Sequence, residues 1–481
     1  MLLKASKRKY MRKSTGRYMA KDLFGTLLLV FIDILIIFAA SWAASAPSRT
    51  SPSFHPAINA QFFVLVAIIT MTSLYFFDLY YVSKNFGMFR QLVNLIAAAS
   101  ASFLMLALLI FLTRPDMLNR RFAASYTCFM FILVIISRVL FSAFHRLYLV
   151  RRAIIIGDTP MGRALLKLIS DKSSYKTGQN ISIMGYLAEN RSEDTVAYHD
   201  VPYLGPINKA DIVIGLQNAG LYVYALHRPG GSSLNELLIR EKLKGTDIVS
   251  AAGLYEEVSG RIPYEHMGSD SLIEDCLRGQ KFTQARVKIL FDTIFSAILL
   301  VLAAPILAIS AMGIKLDSGG PVLFTQKRIG RLGKPFTIYK LRTMINAAER
   351  DNIKKSGWGD LYKENEEKIS RWGRLLRKTH VDELPQLFNV LKGDMSLVGP
   401  RPEMALYVER CEKRIPLYRL RLAVRPGITG WAQISYVHTS TLSGYRRKIQ
   451  YDLYYLKNMS FKLDLEIIIR TFFLLLGYVK R

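Results

Sequence analysis

Two adjacent carboxylates stand in a basic stretch of the chain, where Asp382 and Glu383 closely follow Arg377, Lys378 and His380. A carboxylate can attack phosphorus to form an acyl-phosphate, and a second carboxylate can help to hold a divalent cation that neutralises phosphate oxygens. The competing interpretation is structural, because acids in the first turn of a helix stabilise it by a few tenths to about 1 kcal/mol. Spacing alone favours the structural interpretation.

The local pattern also predicts how these acids are held. Thr379, with Asp382 three residues later, resembles a helix N-cap and its reciprocal partner. We predict a helix that runs from there to about Leu391 and stops at Gly393. Pro385 is tolerated in this helix because the first turn has few internal hydrogen bonds to lose. Both carboxylates then lie in the first turn.

Two basic side chains on a predicted strand are candidates for phosphate binding. Strands are predicted over 321–328 and 335–343, and the period of two along a strand puts Lys340 and Arg342 on one face. Neighbouring cations suit a diphosphate, although a solvated strand face explains the pattern equally well. An anionic nucleophile needs such cations, with Arg377, because an anionic substrate would otherwise repel it.

A further candidate is Arg401, which stands between Pro400 and Pro402. The two prolines restrict the backbone on either side, and a guanidinium on a stiff loop is well suited to binding an oxyanion. An ordinary surface turn is the alternative interpretation.

Long apolar runs predict that the chain is held in a membrane. Each of four runs has about 20 residues, the length that crosses roughly 30 Å of hydrocarbon. They are Leu23 to Ala44, Ala60 to Tyr81, Leu92 to Leu112 and Phe122 to Phe144. The basic segment 1–21 should stay in the cytoplasm by the positive-inside rule, so four crossings over 22–146 return the chain to that side.

A fifth apolar run, Thr293 to Ile314, carries Pro305 near its middle, which predicts a kink. Two topologies compete: a kinked transmembrane helix, or a helix–break–helix hairpin over about 286–314 that enters and leaves one leaflet. A full crossing would put the charged C-terminal half, with its candidate phosphate-binding residues, outside the cell, away from the phosphorylated substrates of the cytoplasm. We favour the re-entrant hairpin, on an argument that depends on the function.

Residues 150–270 are expected to form a Rossmann-like α/β domain. A short strand, Ala153–Ile156, leads into a glycine turn and then a helix. Thr159 occupies the position where the dinucleotide fingerprint has its middle glycine, and its side chain would obstruct a pyrophosphate. We therefore predict a Rossmann-like scaffold rather than a nucleotide-binding domain.

The overall composition restricts the partners. The chain of 481 residues has a net charge of +28 and a hydrophobic fraction of 51%. A basic excess of this size favours polyanionic partners, and its position among apolar runs and candidate phosphate sites predicts membrane lipids and phosphorylated substrates, with no nucleic acid. The three cysteines are far apart, so neither a disulfide framework nor a cysteine metal site is predicted.

Five blocks in order resemble the bacterial sugar transferases, the monotopic polyprenyl-phosphate phosphoglycosyl transferases. They are Lys315–Gln326, Tyr339–Met344, Asp382–Gln386, Gly393–Pro402 and Arg425–Gln433. The N-terminal half is similar to that of the larger members. The resemblance implies a membrane α/β fold: a four-helix transmembrane bundle, the Rossmann-like domain, and a C-terminal α/β catalytic domain over 281–481 with the re-entrant helix hairpin.

The resemblance also implies a two-step reaction. Asp382 would attack the sugar-bearing phosphate of a UDP-sugar, release UMP and pass the sugar phosphate to undecaprenyl phosphate. Glu383 matches the second member of the family's catalytic pair, and Mg²⁺ is the implied metal at these two acids. The other positions that match the family's site are Lys340, Arg377, Arg401 and Asp452. Direct attack by the lipid phosphate, with Asp382 acting only through the metal, is the alternative mechanism.

The same resemblance implies where the protein works. The stretch after Gln433 is similar to the subgroup linked to exosortase-associated exopolysaccharide clusters. We therefore expect a multi-pass protein of the bacterial inner membrane, with its catalytic domain facing the cytoplasm and its surface in contact with inner-membrane lipids. Homo-oligomerisation stays open, as does a non-enzymatic role of the N-terminal half as a scaffold or regulator of polysaccharide assembly.

Overall fold

The structure is a computed structural model that describes residues 25–44, 56–80, 88–113, 120–148, 151–170, 181–189, 201–216, 219–226, 232–267, 272, 276, 282–344, 369–436 and 441–477. The basic segment predicted over 1–21 lies outside the described residues. The chain divides into two compact units, Met1–Ser259 and Gly260–Arg481.

The first unit begins with four apolar helices. They are α1 (Gly25–Ala44), α2 (Pro56–Phe76), α3 (Met88–Thr113) and α4 (Arg120–Tyr148). Three of them, α1, α3 and α4, contain runs long and apolar enough to cross a membrane. The remaining helix, α2, has 21 residues, which corresponds to roughly 30 Å at the helical rise. The four predicted N-terminal apolar helices are thus confirmed.

A buried ion pair joins the first of these helices to the fourth. Both terminal nitrogens of Arg138 donate to the Asp33 carboxylate, at 3.2 and 2.5 Å. Asp33 is fully buried, and the guanidinium carbon of Arg138 lies 5.7 Å from the centre of the Tyr80 ring. In apolar surroundings each of the two charged side chains is stabilised by the other, because a buried charge without a partner is energetically costly.

Leucine in place of Arg138 is expected to destabilise the bundle by about 3–5 kcal/mol, because Asp33 then stays buried without its partner. Replacing both residues with leucine should restore most of the loss, since no buried charge remains. The thermal unfolding midpoint in detergent measures both effects, with Arg240→Leu on the exposed face of a later helix as the control. Equal losses in the single and double variants would contradict a role of the pair.

The rest of the first unit is a parallel sheet with helices on both faces. Its strands are β1 (Arg151–Ile156), β2 (Ile181–Ala188), β3 (Tyr203–Pro206), β4 (Leu221–Tyr224) and β5 (Asp247–Ser250), and its helices are α5 (Pro160–Ser170), α6 (Ala210–Leu216), α7 (Ser232–Leu243) and α8 (Ala251–Ser259). The strand order is β3-β2-β1-β4-β5, and all neighbours are parallel. Alternate residues of β1 enter two apolar cores, one on each face. The predicted membrane α/β fold is confirmed at this level.

The turn after β1 is closed by its own side chains. The backbone N–H of Gly162 donates to Thr159 Oγ1 at 3.3 Å, and Asp158 pairs with Arg163 at 2.9 Å. Gly157 has a φ of 112°, and a Cβ there would lie 1.9 Å from the carbonyl oxygen of Ala225. The glycine thus permits close packing of two strand ends, and one amide at the start of α5 is already occupied by protein.

The second unit is a mixed α/β assembly. Its elements are α9 (Phe282–Ser318), β6 (Leu323–Ile329), β7 (Pro335–Leu341), α10 (Arg371–Lys378), α11 (Gln386–Leu391), β8 (Ser396–Val398), α12 (Ala405–Glu412), β9 (Gly427–Thr429), α13 (Trp431–Ser435), α14 (Leu442–Asn458) and α15 (Phe461–Leu475). The strands β6 and β7 form an antiparallel hairpin, whereas β8 and β9 pair in parallel. The helices α13, α14 and α15 pack around an apolar core that also receives side chains of α9.

The apolar helix α9 differs from the predicted hairpin. The chain is helical without interruption from Phe282 to Ser318, with Pro305 inside the helix. The predicted separation into two helices at Pro305 is therefore not confirmed. Apolar side chains on both sides of the proline are open to the surroundings, since Val301 is 74% exposed and Ile309 is 57% exposed.

Candidate active site

The adjacent carboxylates lie on one tight turn between two helices. Asp382 and Glu383 belong to a 3₁₀ turn, Val381–Glu383, that connects α10 with α11. His380, just before the turn, has a left-handed φ of 56° and redirects the chain there. The two side chains therefore project from a short, sharply turned segment that is supported by a helix on each side.

The prediction that Thr379 begins a helix is wrong, because Thr379 is the C-terminal cap of α10. Pro385 gives the physical reason. In a helix that began at Thr379, the ring of Pro385 would collide with the carbonyl of Val381. That carbonyl instead accepts a hydrogen bond from Leu384 N at 3.2 Å, which closes the 3₁₀ turn. The new helix begins only after the proline, and its predicted end at Leu391 is confirmed.

Glu383 is bound by two cations from different parts of the unit. Lys340 Nζ on β7 donates to Glu383 Oε1 at 2.6 Å, and Arg401 Nη2 donates to the same oxygen at 3.1 Å. Burial alone would raise the pKa of Glu383, but Arg401 and Lys340 outweigh it and lower that pKa to about 2. Glu383 is therefore ionised at neutral pH, and it holds Lys340 and Arg401 beside Asp382.

Asp382 has the opposite electrostatic character. It is 9% exposed, and burial, with the adjacent Glu383 charge, raises its pKa, against the opposing effects of Lys340, His380 and Arg377. Raising the pKa makes a carboxylate a stronger nucleophile and a stronger base. Two neighbouring carboxylates whose pKa values are pushed apart are suited to different chemical roles.

Arg377 reaches this site from the last turn of α10. Its Nε donates to Thr343 Oγ1 at 3.0 Å, and its charge lowers the pKa of Asp382. The structure therefore brings Lys340, Arg377 and Arg401 to the two acids from three separate elements, as the sequence predicts for a phosphate site.

Arg342 is placed differently from the prediction. The strand β7 ends at Leu341, so the alternation that would put Arg342 beside Lys340 stops one residue too early. Arg342 is 8% exposed, and it donates to the backbone carbonyls of Met344 and Ser318 at 3.0 and 3.2 Å. These contacts tie the end of β7 to the end of α9, a structural role rather than a phosphate-facing one.

Asp452 is also separated from the two acids. It is 1% exposed, on α14, and its Oδ2 accepts from Arg421 Nε at 2.9 Å. Another nitrogen of the same guanidinium donates to the backbone carbonyl of Arg401 at 2.9 Å. Asp452 thus lies behind the loop that carries Arg401, and its link to the site runs through Arg421.

Asn389, which the sequence predictions do not include, holds the strand that carries Lys340. Asn389 on α11 is fully buried, and it accepts from Tyr339 N at 3.1 Å and donates to Thr337 O at 2.7 Å. These bonds fix β7 against the helix that follows Val381–Glu383, the candidate catalytic turn. An asparagine inside a short helix was the available signal, because its side chain competes with the helical backbone unless it has another partner.

The side chains at the site limit the ways in which a metal ion could be bound. Among the residues that the structure describes, no group of three or more histidine, cysteine, aspartate and glutamate side chains is placed to bind a metal ion. Mg²⁺ usually takes one or two carboxylates, with waters and substrate phosphates completing its shell. Asp382 and Glu383 fit that kind of site, because they supply two carboxylates beside a set of cations that attracts phosphate.

Most of the second unit matches a known protein family. The family model described as bacterial sugar transferase matches residues 283–477. The uncharacterized sugar transferase EpsL of Bacillus subtilis is 43% identical over 189 residues, which cover 38% of this chain and 85% of that protein. The chain belongs to the bacterial sugar transferase family. The matched region of this sugar transferase contains the candidate catalytic turn and the three cations around it.

Two further relatives have names that state an activity. The UDP-N-acetylgalactosamine-undecaprenyl-phosphate N-acetylgalactosaminephosphotransferase of Aeromonas hydrophila is 35% identical over 272 residues, 56% of this chain and 60% of that protein. The UDP-glucose:undecaprenyl-phosphate glucose-1-phosphate transferase of Caulobacter vibrioides is 42% identical over 186 residues, 38% of this chain and 67% of that protein. The sugar transferase thus spans about three fifths to two thirds of the length of these relatives.

The N-terminal half of the sugar transferase matches another family model. The model described as CoA-binding domain covers residues 75–213. It therefore includes α3 and α4 together with the first three strands of the parallel sheet.

Proposed function

We propose that this sugar transferase moves a sugar-1-phosphate from a UDP-sugar to undecaprenyl phosphate and releases UMP. The observation that carries the proposal is the buried Asp382 next to an ionised Glu383 that holds Lys340 and Arg401 at 2.6 and 3.1 Å. The names of the Aeromonas and Caulobacter relatives supply the classes of donor and acceptor. The resemblance to the exosortase-associated subgroup suggests exopolysaccharide synthesis as the setting.

In the first proposed step, an Asp382 oxygen attacks the phosphorus that bears the sugar. The bond from this phosphorus to the bridging oxygen breaks, and the bridging oxygen leaves with its electron pair as part of UMP. In the second step, a phosphate oxygen of the lipid attacks the same phosphorus and Asp382 departs as a carboxylate. The products are UMP and undecaprenyl diphosphate sugar, and Asp382 is regenerated.

The cations around the turn make both steps accessible to an anionic nucleophile. Lys340 and Arg401 offset the negative charge that accumulates on the phosphate oxygens, and Arg377 offsets the charge of Asp382 itself. Asp382 and Glu383 would hold Mg²⁺ together with substrate oxygens, and the bound ion would further neutralise the diphosphate.

The contacts of α9 favour a re-entrant arrangement in the membrane. Near its start, Lys288 pairs with Asp464 on α15 at 2.6 Å. Near its end, Asp317 accepts from Trp372 N on α10 at 3.0 Å. Both ends of the helix thus contact the same compact unit, while the apolar side chains around Pro305 are exposed. We infer that the continuous helix bends at Pro305 and so enters and leaves one leaflet of the inner membrane, with the catalytic unit on the cytoplasmic side, where nucleotide-sugars are made.

The proposal predicts the nucleotide that is released. Membranes or nanodiscs containing the full chain, given Mg²⁺, undecaprenyl phosphate and a panel of UDP-sugars, should release UMP and no UDP from at least one donor. A luminescent UMP assay detects the first product, and a UDP assay on the same samples is the matched control. Release of UDP would indicate direct glycosyl transfer and contradict the proposal.

The covalent intermediate has its own test. With the UDP-sugar present and the lipid acceptor left out, a stoichiometric burst of UMP should appear, and mass spectrometry should find a sugar-phosphate on the peptide that contains Asp382. A chain that releases UMP only when the lipid is present, without any adduct, would instead support direct attack by the lipid phosphate.

A further inference from the structure

The loop that carries Arg401 is held by its backbone carbonyl groups. The carbonyl oxygen of Arg401 accepts from Arg421 Nη2 at 2.9 Å. The preceding carbonyl accepts from Gly427 N at 3.0 Å, and the following one accepts from Arg328 Nη1 at 3.4 Å. Because a proline stands on each side of Arg401, the loop has few N–H groups of its own, and these three donors take the place of ordinary backbone pairing.

Arg421 is the most constrained of these donors. It is 3% exposed, and its three nitrogens have three different acceptors. Nε donates to Asp452 at 2.9 Å, Nη1 donates to the Tyr418 hydroxyl at 3.2 Å, and Nη2 donates to the Arg401 carbonyl. A planar guanidinium bound along three directions has little freedom, so the position of Arg421 defines the position of the carbonyl it binds.

The long helix α14 provides the fixed support behind this arrangement. Lys448 and Asp452 are four residues apart on it, so they lie on the same face. Lys448 pairs with Glu403, which follows the Arg401 loop, and Asp452 pairs with Arg421. All four side chains are buried. Two ion pairs on one rigid face therefore hold both the loop and the arginine that binds it.

We propose that Arg421 is a positioning residue that aims the Arg401 side chain at the catalytic turn, with Asp452 as its fixed counter-ion. The role rests on the proposed function, since it assigns Arg401 to the phosphate site. Arg401 is bound at both ends: its guanidinium, with the side chain 40% exposed, bonds to Glu383, and its carbonyl accepts from Arg421. If the Arg401 carbonyl shifted, the Arg401 guanidinium would move away from the phosphate oxygens on which negative charge develops in the proposed reaction.

The decisive variant is Arg421→Lys, which keeps the charge beside Asp452 but removes the fork that reaches the Arg401 carbonyl. We expect kcat/KM for UMP release to fall by about 10-fold to 100-fold, since misplacement of a catalytic group by about 1 Å has an effect of that size. The fall should lie in kcat, because Arg401 acts on developing charge. Asp452→Asn, which keeps the shape of the counter-ion, should act in the same direction with a smaller loss.

A double-mutant cycle separates positioning from mere structural support. In an Arg401→Ala background, Arg421→Lys and Asp452→Asn should change kcat/KM by less than about twofold, since the side chain they aim is absent. Equal losses in both backgrounds would show that Arg421 only stabilises the fold. Rates are normalised to the folded fraction, taken from thermal unfolding of each variant in detergent.

The chain offers a matched control on the 3₁₀ helix Tyr418–Ala423, which also carries Arg421. Arg419 forms an ion pair with Glu412 at 2.9 Å but its side chain is 81% exposed. Arg419→Lys should therefore leave kcat and KM unchanged. A wild-type chain that releases no UMP would contradict the proposed function, whereas an active wild type with unaltered kinetics in Arg421→Lys and Asp452→Asn would overturn the positioning role alone.

Discussion

Asparagine in place of Asp382 is expected to lower UMP release by about 10³-fold or more, because the amide cannot form the acyl-phosphate. The loss should appear in kcat and in the burst of UMP without lipid acceptor. The surrounding cations and Glu383 remain, so binding of the UDP-sugar should be retained. Mass spectrometry of the same variant should find no sugar-phosphate on the peptide that contains residue 382.

The stability of this variant provides an independent check. Burial raises the pKa of Asp382, so keeping the carboxylate ionised at neutral pH costs stability in the folded protein. A neutral side chain of the same shape removes this cost. We therefore expect Asp382→Asn to unfold at the same temperature as wild type or at a higher one, as is common where a site is strained for function.

A surface acid of the same unit is the matched control. Glu409 on α12 is exposed, and Glu409→Gln should leave turnover unchanged. Turnover at the wild-type rate in Asp382→Asn would contradict its assignment as the nucleophile. Loss of turnover together with a large drop in the unfolding temperature would assign Asp382 a structural role instead.

Runs of apolar residues were sufficient to predict the elements that are rich in apolar side chains. The runs that became α1 to α4 have the length of a membrane crossing, and the Ala153–Ile156 part of β1 has the uninterrupted apolar character of a strand covered on both faces. In each case the signal is local, because it lies in the apolar composition of the run itself. The cations around the candidate catalytic turn are also predicted from a local signal, because their residue type alone marks them as candidates for phosphate binding.

Two residue-type signals failed, for different reasons. Thr379 has the residue type of an N-cap, yet it ends a helix because Pro385, only six residues later, excludes a helix through the turn. Arg342 has the strand spacing of Lys340, yet β7 stops before it and its guanidinium binds the end of α9. The first failure lies in the weighing of two local signals, whereas the second depends on a packing partner that is distant in sequence.

The residues that support the site, Arg421 and Asn389, were the hardest to predict from the sequence. Arg421 contacts the Arg401 loop from 20 residues away, and Asn389 holds β7 from 50 residues away. Arg421 belongs to no short spacing pattern, and the only signal for Asn389 is the presence of an asparagine inside a short helix. Candidate catalytic residue types can therefore be identified from a single sequence, whereas the side chains that position them become visible only in the fold.

Methionine in place of Lys340 should lower kcat/KM by about 100-fold, the loss expected when one preorganised charge is removed from a site where charge develops. Lys340 Nζ lies 2.6 Å from Glu383 Oε1 and its side chain is 19% exposed, so water replaces it only in part. Arg401 and Arg377 would then balance the two adjacent carboxylates without it. Lys340→Arg keeps a cation on the strand and should recover part of the activity.

The pH dependence gives this prediction a definite sign. Lys340 lowers the pKa of Asp382, so its removal raises that pKa further. In the proposed mechanism Asp382 attacks as a carboxylate, and the rate should therefore rise with pH through its pKa. In Lys340→Met the acid limb of kcat against pH should move to higher pH, so the loss relative to wild type is greatest in acid and smaller above neutrality.

Charge removal on the neighbouring strand tests whether the effect is local. Lys327 on β6 is exposed, and Lys327→Met changes the net charge of the unit by the same amount without touching the two acids. It should leave both the acid limb and kcat/KM in place, because exposed charges are screened over about 10 Å in ordinary buffers. If Lys340→Met lowered the rate equally at every pH, Lys340 would act on the substrate phosphates alone, and the coupling of its charge to the Asp382 carboxylate would be contradicted.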